Sequence, residues 1–268
     1  MDDQTSYQAR PRATPRPGWT VAEVVAALLV GLVSVGLLML FEREARQRAR
    51  SAQSEANLHA LALANLRYAA DHGGSFCPAQ DAADLIRWHG GRATPQARFD
   101  PAKGYLYPYL SGGGATLLCP DFALYPQSPE SFEMGAGDYG YNEMYIGGTP
   151  VDRFKPENIA KVTNPARTIM FTDTCLPQAD GIQEYPFSEP FQAVNRDGSL
   201  GYEMTPSVHF RHEGFAHVAW CDGSVTAEPP SRLGGINLYG GDAGKYLVGW
   251  LGPSLNNGWW NSRQTTSP

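Results

Sequence analysis

The chain has 268 residues, of which 42% are apolar and 18% are charged, and its formal net charge at pH 7 is −6. These values are ordinary for an exported protein with a single globular domain of moderate size. The acidic balance gives no reason to expect a nucleic acid as a partner.

The first 18 residues form a short polar segment rich in proline and arginine. Its charged residues are Asp2, Asp3, Arg10, Arg12 and Arg16, which give it a net charge of +1. This composition is typical of a disordered tail. We therefore interpret residues 1–18 as a leader that precedes the first helix.

An apolar run of 23 residues follows, from Trp19 to Phe41. At about 1.5 Å per residue it spans roughly 34 Å, which is enough to cross a hydrocarbon core of about 30 Å. It is too long for a secretory h-region and no small-x-small cleavage site follows it, so residues 19–41 are predicted to stay as a transmembrane helix. Charge counting leaves the orientation open, because four arginines follow the run closely and three precede it.

One acid, Glu23, interrupts this run near its beginning. A carboxylate inside a membrane span costs on the order of 2.5–3.5 kcal/mol, so such a group usually has a specific partner. We expect that partner to be an amine.

Residues 42–72 are predicted to continue the same helix. No proline or glycine occurs between Phe41 and His72, and apolar residues recur at three- and four-residue spacing at Leu58, Leu61, Ala62, Leu66 and Ala69. This spacing indicates an amphipathic helix. The two halves would form one rod from about Val21 to Asp71 that ends at Gly73-Gly74, a plausible C-terminal cap.

Residues 73–228 are predicted to form a globular domain with an antiparallel sheet. The first part, to Glu143, lacks sustained periodicity and is interpreted as loops with a short helix at Asp81–Trp88. The predicted strands are 168–172, 207–211 and 216–221, with the last two paired around Glu213-Gly214. Asp222-Gly223 then joins the last strand to residues 224–227, since this dipeptide is a strong hairpin signal. Residues 229–268 are left as a C-terminal extension, and the fold class is α+β.

Four cysteines, Cys77, Cys119, Cys175 and Cys221, lie after the apolar run. In an oxidising compartment they would form disulfides. Spacing does not fix the pairing, and we favour Cys77 with Cys119 and Cys175 with Cys221. No C-x-x-C pair is present, so a zinc knuckle has no support.

The string Gly18-Trp19-Thr20-Val21-Ala22-Glu23, followed by an apolar helix, resembles the start of type IV pilins and type II secretion pseudopilins. The resemblance implies that a prepilin peptidase cuts between Gly18 and Trp19 and methylates the new amine. It implies that Glu23 then meets the N-terminal amine of a neighbouring subunit. It also places residues 1–18 in the cytoplasm and the domain outside. Trp19 departs from the common Phe or Met, and the leader is longer than most.

A second motif lies in the globular part, where His212, nine intervening residues and Asp222-Gly223 match the H-x9-D-G signature of a subclass of pilin-like proteins. Four other pieces agree with that subclass in order: 65–71, 118–120, 138–142 and 169–173. We expect structural roles for His212, Asp222 and Gly223.

His209, His212, His217 and Asp222 are residue types that can bind a transition metal or serve in hydrolysis. Their convergence cannot be argued from a strand pattern, so neither a metal site nor an enzyme is predicted. Asn195 to Ser199 offers oxygen ligands for calcium at alternate positions, but Pro206 stands where an EF-hand loop has its bidentate acid. An Asp-Gly turn is the preferred interpretation of this segment, and no cofactor is predicted.

The resemblance predicts a pilin-like subunit of a type IV pilus or a type II secretion filament, held in the inner membrane by one span with its domain periplasmic or extracellular. Its partners would be other subunits, the prepilin peptidase and the inner-membrane assembly platform. The large domain favours a minor pilin or a pseudopilin over a major subunit. The alternative is a membrane-anchored surface binding protein or enzyme whose tether is not cleaved.

Overall fold

The computed structural model describes residues 18–129, 131–148 and 155–264, so all but the last residue of the expected leader lies outside the described residues. The chain divides into two compact units, residues 1–47 and 48–268. The described part combines one long helix with small antiparallel sheets, which confirms the α+β class.

Helix α1 runs from Val21 to Asp71 without interruption, as predicted from the sequence. Its apolar first half is exposed on all sides, and by length and composition it can serve as a membrane span or a signal sequence. The helix is stopped at the predicted glycines: Gly73 and Gly74 have φ of +63° and +84°, and the Gly74 amide donates to the Ala69 carbonyl at 2.8 Å. This six-to-one bond is the geometry of a Schellman cap.

The strands lie after residue 138. They are β1 Tyr139–Tyr141, β2 Ile169–Asp173, β3 Leu176–Gln178, β4 Gly181–Gln183, β5 Gln192–Val194, β6 Leu200–Glu203, β7 Val208–His209, β8 Ala216–Trp220, β9 Val225–Glu228, β10 Arg232–Leu233 and β11 Val248–Trp250. The main sheet has the order β1-β2-β8-β9, a second has the order β10-β11-β7, and β3-β4 and β5-β6 are two-stranded.

Short helical turns fill the loops between these strands and the long helix. They are the 3₁₀ turns Pro101–Lys103, Tyr107–Tyr109, Gly113–Leu117, Phe122–Leu124, Ile159–Lys161, Pro165–Arg167 and Leu255–Trp260, and the π turn Glu143–Gly147.

The predicted helix at Asp81–Trp88 is wrong. This segment is a turn in which the carboxylate of Asp81 accepts from the amides of Leu85 and Ile86, and Asp84 has a φ of +56°. A short acidic side chain that binds nearby amides offers the backbone an alternative to the helix.

Strands β8 and β9 form the hairpin that Asp222-Gly223 predicts. The Asp222 carboxylate accepts from the amide and the hydroxyl of Ser224, at 2.9 and 2.6 Å. Gly223 has a φ of +92°, and a Cβ there would lie 3.3 Å from Cδ1 of Leu66 on α1. The left-handed backbone of this turn therefore requires glycine, and Leu66 packs closely against it.

The predicted pairing of residues 207–211 with 216–221 is wrong in its partner. Strand β7 pairs with β11, where Val248 faces His209, and the turn at Glu213-Gly214 is closed only by a bridge between His212 and Phe215. Strand β11 belongs to the segment 229–268, whose residue pattern predicts no helix or strand.

Two hydrophobic layers cover the central strands. All residues of β2 and β8 are buried, which requires packing on both faces. One layer contains Leu58 and Leu61 of α1 together with Phe171, and the other contains Val218 with Trp250 and Trp260. The predicted C-terminal extension is therefore part of the core of the unit 48–268.

Candidate functional site

Thr20, just before α1, and Glu23, in the first turn of α1, form a capping box. The Glu23 carboxylate accepts from the amide of Thr20 at 2.8 Å and from its hydroxyl at 2.9 Å, and the Glu23 amide donates back to that hydroxyl at 3.3 Å. These bonds satisfy amides that a helix start leaves without partners. Both bonds to the carboxylate use Oε2. Gly18 and Trp19 precede this box and are exposed.

The four cysteines are free thiols and all are buried, which contradicts the favoured disulfide pairing. Cys175 and Cys221 follow adjacent strands, but the strands are antiparallel. The amide of Cys221 binds the Thr168 carbonyl at the start of β2, whereas Cys175 follows its end, seven residues away. At about 3.3 Å per residue the two sulfurs are roughly 20 Å apart.

The long helix separates the other pair of cysteines. The Cys77 amide binds the Asn65 side chain, and the Cys119 sulfur lies 3.5 Å from the Ser54 hydroxyl. Eleven residues of α1 correspond to about 16 Å between these contacts. A disulfide between them would require a different packing of the helix.

The segment Asn195–Ser199 is the turn between β5 and β6. The Ser199 amide donates to the Asp197 carboxylate, the Gly198 amide donates to the Asn195 carbonyl, and Gly198 has a φ of +82°. The described structure thus contains the Asp-Gly turn that the sequence predicts for this segment.

His212 and Asp222, the two ends of the H-x9-D-G motif, do not meet. The five residues of β8 lie between them, a length of roughly 16 Å. Asp222 caps its turn, whereas His212 joins a buried polar cluster at the other end of the strand. We call this the His212 cluster, and it consists of Cys119, Asp121, Asp173, Arg211, His212 and His217.

Antiparallel pairing brings the members of the His212 cluster together. Thr172 of β2 faces Val218 of β8, so Asp173 at the end of β2 lies beside His217. Arg211 and His212 lie just after β7, from which Phe210 separates them. Cys119 and Asp121 come from the loop before the 3₁₀ turn Phe122–Leu124.

Asp173 is the centre of the cluster and has no solvent exposure. Its Oδ1 accepts from the Arg211 guanidinium at 2.7 Å, and its Oδ2 lies 3.1 Å from Nε2 of His212 and accepts from the His217 amide at 2.7 Å. Burial alone would raise the pKa of Asp173, but Arg211 and His212 outweigh it and hold that pKa well below its usual range. Asp173 is therefore a fully ionised buried carboxylate.

His212 lies between two carboxylates. Its Nδ1 is 3.0 Å from Asp121, which also accepts from Arg50 of α1 at 2.5 Å. Burial opposes protonation, yet the Asp173 carboxylate prevails and raises the pKa of His212 to about 10. A doubly protonated imidazolium that donates to both carboxylates accounts for this geometry.

Cys119 is one member of the cluster that comes from the loop before the 3₁₀ turn Phe122–Leu124. Its sulfur is 3.9 Å from Nε2 of His212, and its amide donates to the Asp138 carboxylate at 2.7 Å. Burial would raise the pKa of the Cys119 thiol, but Arg211 and His212 lower it below its usual value. Burial raises the pKa of Asp138 to about 7.

The neighbouring histidines are neutral. Nδ1 of His209 lies 3.3 Å from Nη1 of Arg211, and burial together with the charge of Arg211 holds the pKa of His209 well below its usual value. Burial lowers the pKa of His217, whose ring stacks on His212 at 4.0 Å and whose Nε2 lies 3.3 Å from the Ser51 hydroxyl. Among the described residues, Nδ1 of His217 has no hydrogen-bond partner.

The sequence singled out His209, His212 and His217 but combined them with the wrong acid. In the sequence Asp173 stands out only as the last residue of a motif piece, directly after a predicted strand. Cys119 stands out only as a disulfide candidate and as part of another motif piece, before a proline. A signal was present, because a charged residue that ends a continuous apolar strand usually has a buried partner.

Comparisons of the chain with protein-family models, with curated proteins and with solved structures found no match.

Proposed function

We propose that this chain is a pilin-like subunit, a minor pilin or a pseudopilin, that polymerises through α1 into a type IV pilus or a type II secretion filament. The observation that carries the proposal is the division of one continuous helix into two halves. Residues such as Leu58 and Leu61 are buried in the domain, whereas residues 21–41 are apolar and exposed all round.

The exposed half needs a covering that the described residues do not supply. Leu32, Leu38 and Phe41 are 70%, 67% and 66% exposed, and apolar surface of this kind costs about 25 cal/mol per Å² in water. A bilayer covers such a helix before assembly, and copies of the same helix cover it in a filament. A contact between two different faces of the subunit propagates as a helical filament when its rotation does not close a ring.

The head of the helix supports the same proposal. The capping box holds the Glu23 carboxylate at the first turn and leaves its Oε1 for another donor. In an apolar bundle of helices, the N-terminal amine of Trp19 of a neighbouring copy would neutralise this charge. Because the two groups meet in only one axial register of the helices, the packing in that register would be favoured over the others.

The first test is the fate of the leader. Intact mass and N-terminal sequencing of protein extracted from its native membrane are expected to give a chain that starts at N-methylated Trp19. A chain that keeps its leader would favour the alternative, a surface binding protein or enzyme with an uncleaved tether. The His212 cluster would then be the first place to search for its activity.

A second test separates the charge of Glu23 from its cap. Glutamine can replace glutamate in a capping box, so Glu23→Gln keeps the cap and removes the charge, whereas Thr20→Ala weakens the cap by about 1 kcal/mol and keeps the charge. We expect normal cleavage in both variants and in Glu23→Ala. Filament yield should fall for Glu23→Ala and Glu23→Gln but not for Thr20→Ala. Normal yield from Glu23→Gln would refute the role of the charge.

A further inference from the structure

We propose that Cys119, Asp173 and His212 form a binding site for a divalent transition metal, with zinc as the best fit. The three residues supply a sulfur, a carboxylate oxygen and an imidazole nitrogen, which are the ligand types that zinc takes in proteins. This proposal does not depend on polymerisation, and its failure would leave the proposed function unaffected.

The distances suit a metal of this size. The Cys119 sulfur is 3.9 Å from Nε2 of His212, that nitrogen is 3.1 Å from Oδ2 of Asp173, and the three ligand atoms all lie within 4.8 Å of one another. A triangle with these edges has a point within about 2.4 Å of every corner, compared with about 2.0 Å for a zinc–nitrogen bond and about 2.3 Å for a zinc–sulfur bond. A small contraction of the cluster would therefore complete the bonds.

Outer contacts orient two of the three ligands, His212 and Asp173. Nδ1 of His212 is bound to Asp121, the arrangement in which a carboxylate fixes a metal-binding imidazole, and Asp121 is itself held by Arg50. Arg211 holds Oδ1 of Asp173 and leaves Oδ2 toward His212.

His217 offers the donor for the fourth position. Its Nδ1 has no hydrogen-bond partner among the described residues, although the side chain is only 5% exposed. Buried polar atoms without a partner are uncommon and call for an explanation. This nitrogen lies 3.9 Å from Oδ2 of Asp173, and its ring already packs on His212. A small rotation of the ring, or one bridging water, would bring it to the metal.

The charge of the cluster is compatible with a dication despite Arg211. Binding would displace two protons, one from Nε2 of His212 and one from the Cys119 thiol, because both ligands bind in their deprotonated forms. The two positive charges of the metal ion then replace the charges of the two protons that leave, so the net charge of the buried cluster does not change.

The test uses the full chain in detergent micelles, stripped with a chelator and titrated with Zn²⁺ or Co²⁺. We expect one metal per chain, a rise in thermal stability, and a sulfur-to-cobalt charge-transfer band. Cys119→Ser should lose the band and bind at least tenfold more weakly, while Cys221→Ser, a buried cysteine beyond the other end of β8, should behave like the wild type. Asp121→Asn should weaken binding about 10- to 100-fold.

The wild type alone can overturn the proposal. No uptake of Zn²⁺ after chelator treatment, or a cobalt complex without the sulfur band, would mean that the cluster is an ion-pair network only. Equal affinity in Cys119→Ser and Cys221→Ser would have the same meaning. If Cys119→Ser does not fold, His212→Asn replaces it, with a tenfold or greater loss of Zn²⁺ affinity expected.

Discussion

Replacing Asp173 by asparagine should reveal how much the His212 cluster contributes to the stability of the domain. The carboxylate is fully buried between Arg211 and His212, at 2.7 and 3.1 Å. Asparagine keeps the shape of the side chain but removes its charge. Its NH₂ group must also face one of the donors that now bind the two oxygens.

The expected cost follows from the two broken ion pairs. At an effective dielectric constant near 20, each pair at about 4 Å between charge centres is worth about 4 kcal/mol before desolvation. Removing one partner of a buried pair typically costs about 3–5 kcal/mol, since the other charge stays buried without compensation. Domains are stable by only about 5–15 kcal/mol, so Asp173→Asn should remove a large part of the total.

The assay is urea unfolding of the chelator-treated chain in detergent, followed by the fluorescence of buried residues such as Trp220 and Trp250. Asp222→Asn is the matched control, because its turn needs only an acceptor oxygen for Ser224. We expect a loss of about 3–5 kcal/mol for Asp173→Asn and less than about 1 kcal/mol for Asp222→Asn. In Asp173→Asn the pKa of His212 should also fall toward its ordinary value.

Equal and small losses in the two variants would refute this reasoning. The charges of the cluster would then be screened by water.

Three further predictions concern the rest of the domain. The pKa of His212 is raised to about 10, so the stability that its protonation gives to the metal-free protein is complete below about pH 6.5 and is lost as the pH rises through about 10. The melting temperature of the wild type should therefore decline over this pH range, and His212→Gln should flatten that decline. Trp260→Ala should cost about 3–5 kcal/mol in urea unfolding because its ring is fully buried, and the adjacent, half-buried Trp259→Ala should cost clearly less; a loss below about 1 kcal/mol for Trp260→Ala would contradict the assignment of residues after 228 to the core. When the metal-free protein is unfolded in guanidinium without reductant, four thiols should react with a thiol reagent. A count of two or fewer would mean that the native protein contains a disulfide.

The extent of the long helix could be predicted from the sequence. Its signals are local: an apolar run, a three- and four-residue repeat at Leu58, Leu61 and Ala62, and two glycines after Asp71. The β8–β9 hairpin was predictable for the same reason, since Asp222-Gly223 fixes the turn between neighbouring strands.

The cysteine pairing and the partner of β7 could not be predicted in this way. Both depend on which distant segments meet, and strands adjacent in sequence are not always paired. Cys175 and Cys221 each lie just after a strand, yet antiparallel pairing places the ends of these two strands far apart. Strand β7 pairs with β11, which lies some 40 residues further along the chain, beyond the β8–β9 hairpin, in a segment whose pattern carries no strand signal.

The sequence by itself therefore determined the helix, its apolar half, its cap and the class of fold, because hydrophobic periodicity and turn chemistry act between residues close in the chain. Only the tertiary structure decided that Cys119, Asp173 and His212 converge. Three separate loops and strand ends supply them, and their charges are stable in the interior only because Arg50, Asp121 and Arg211 are brought there with them.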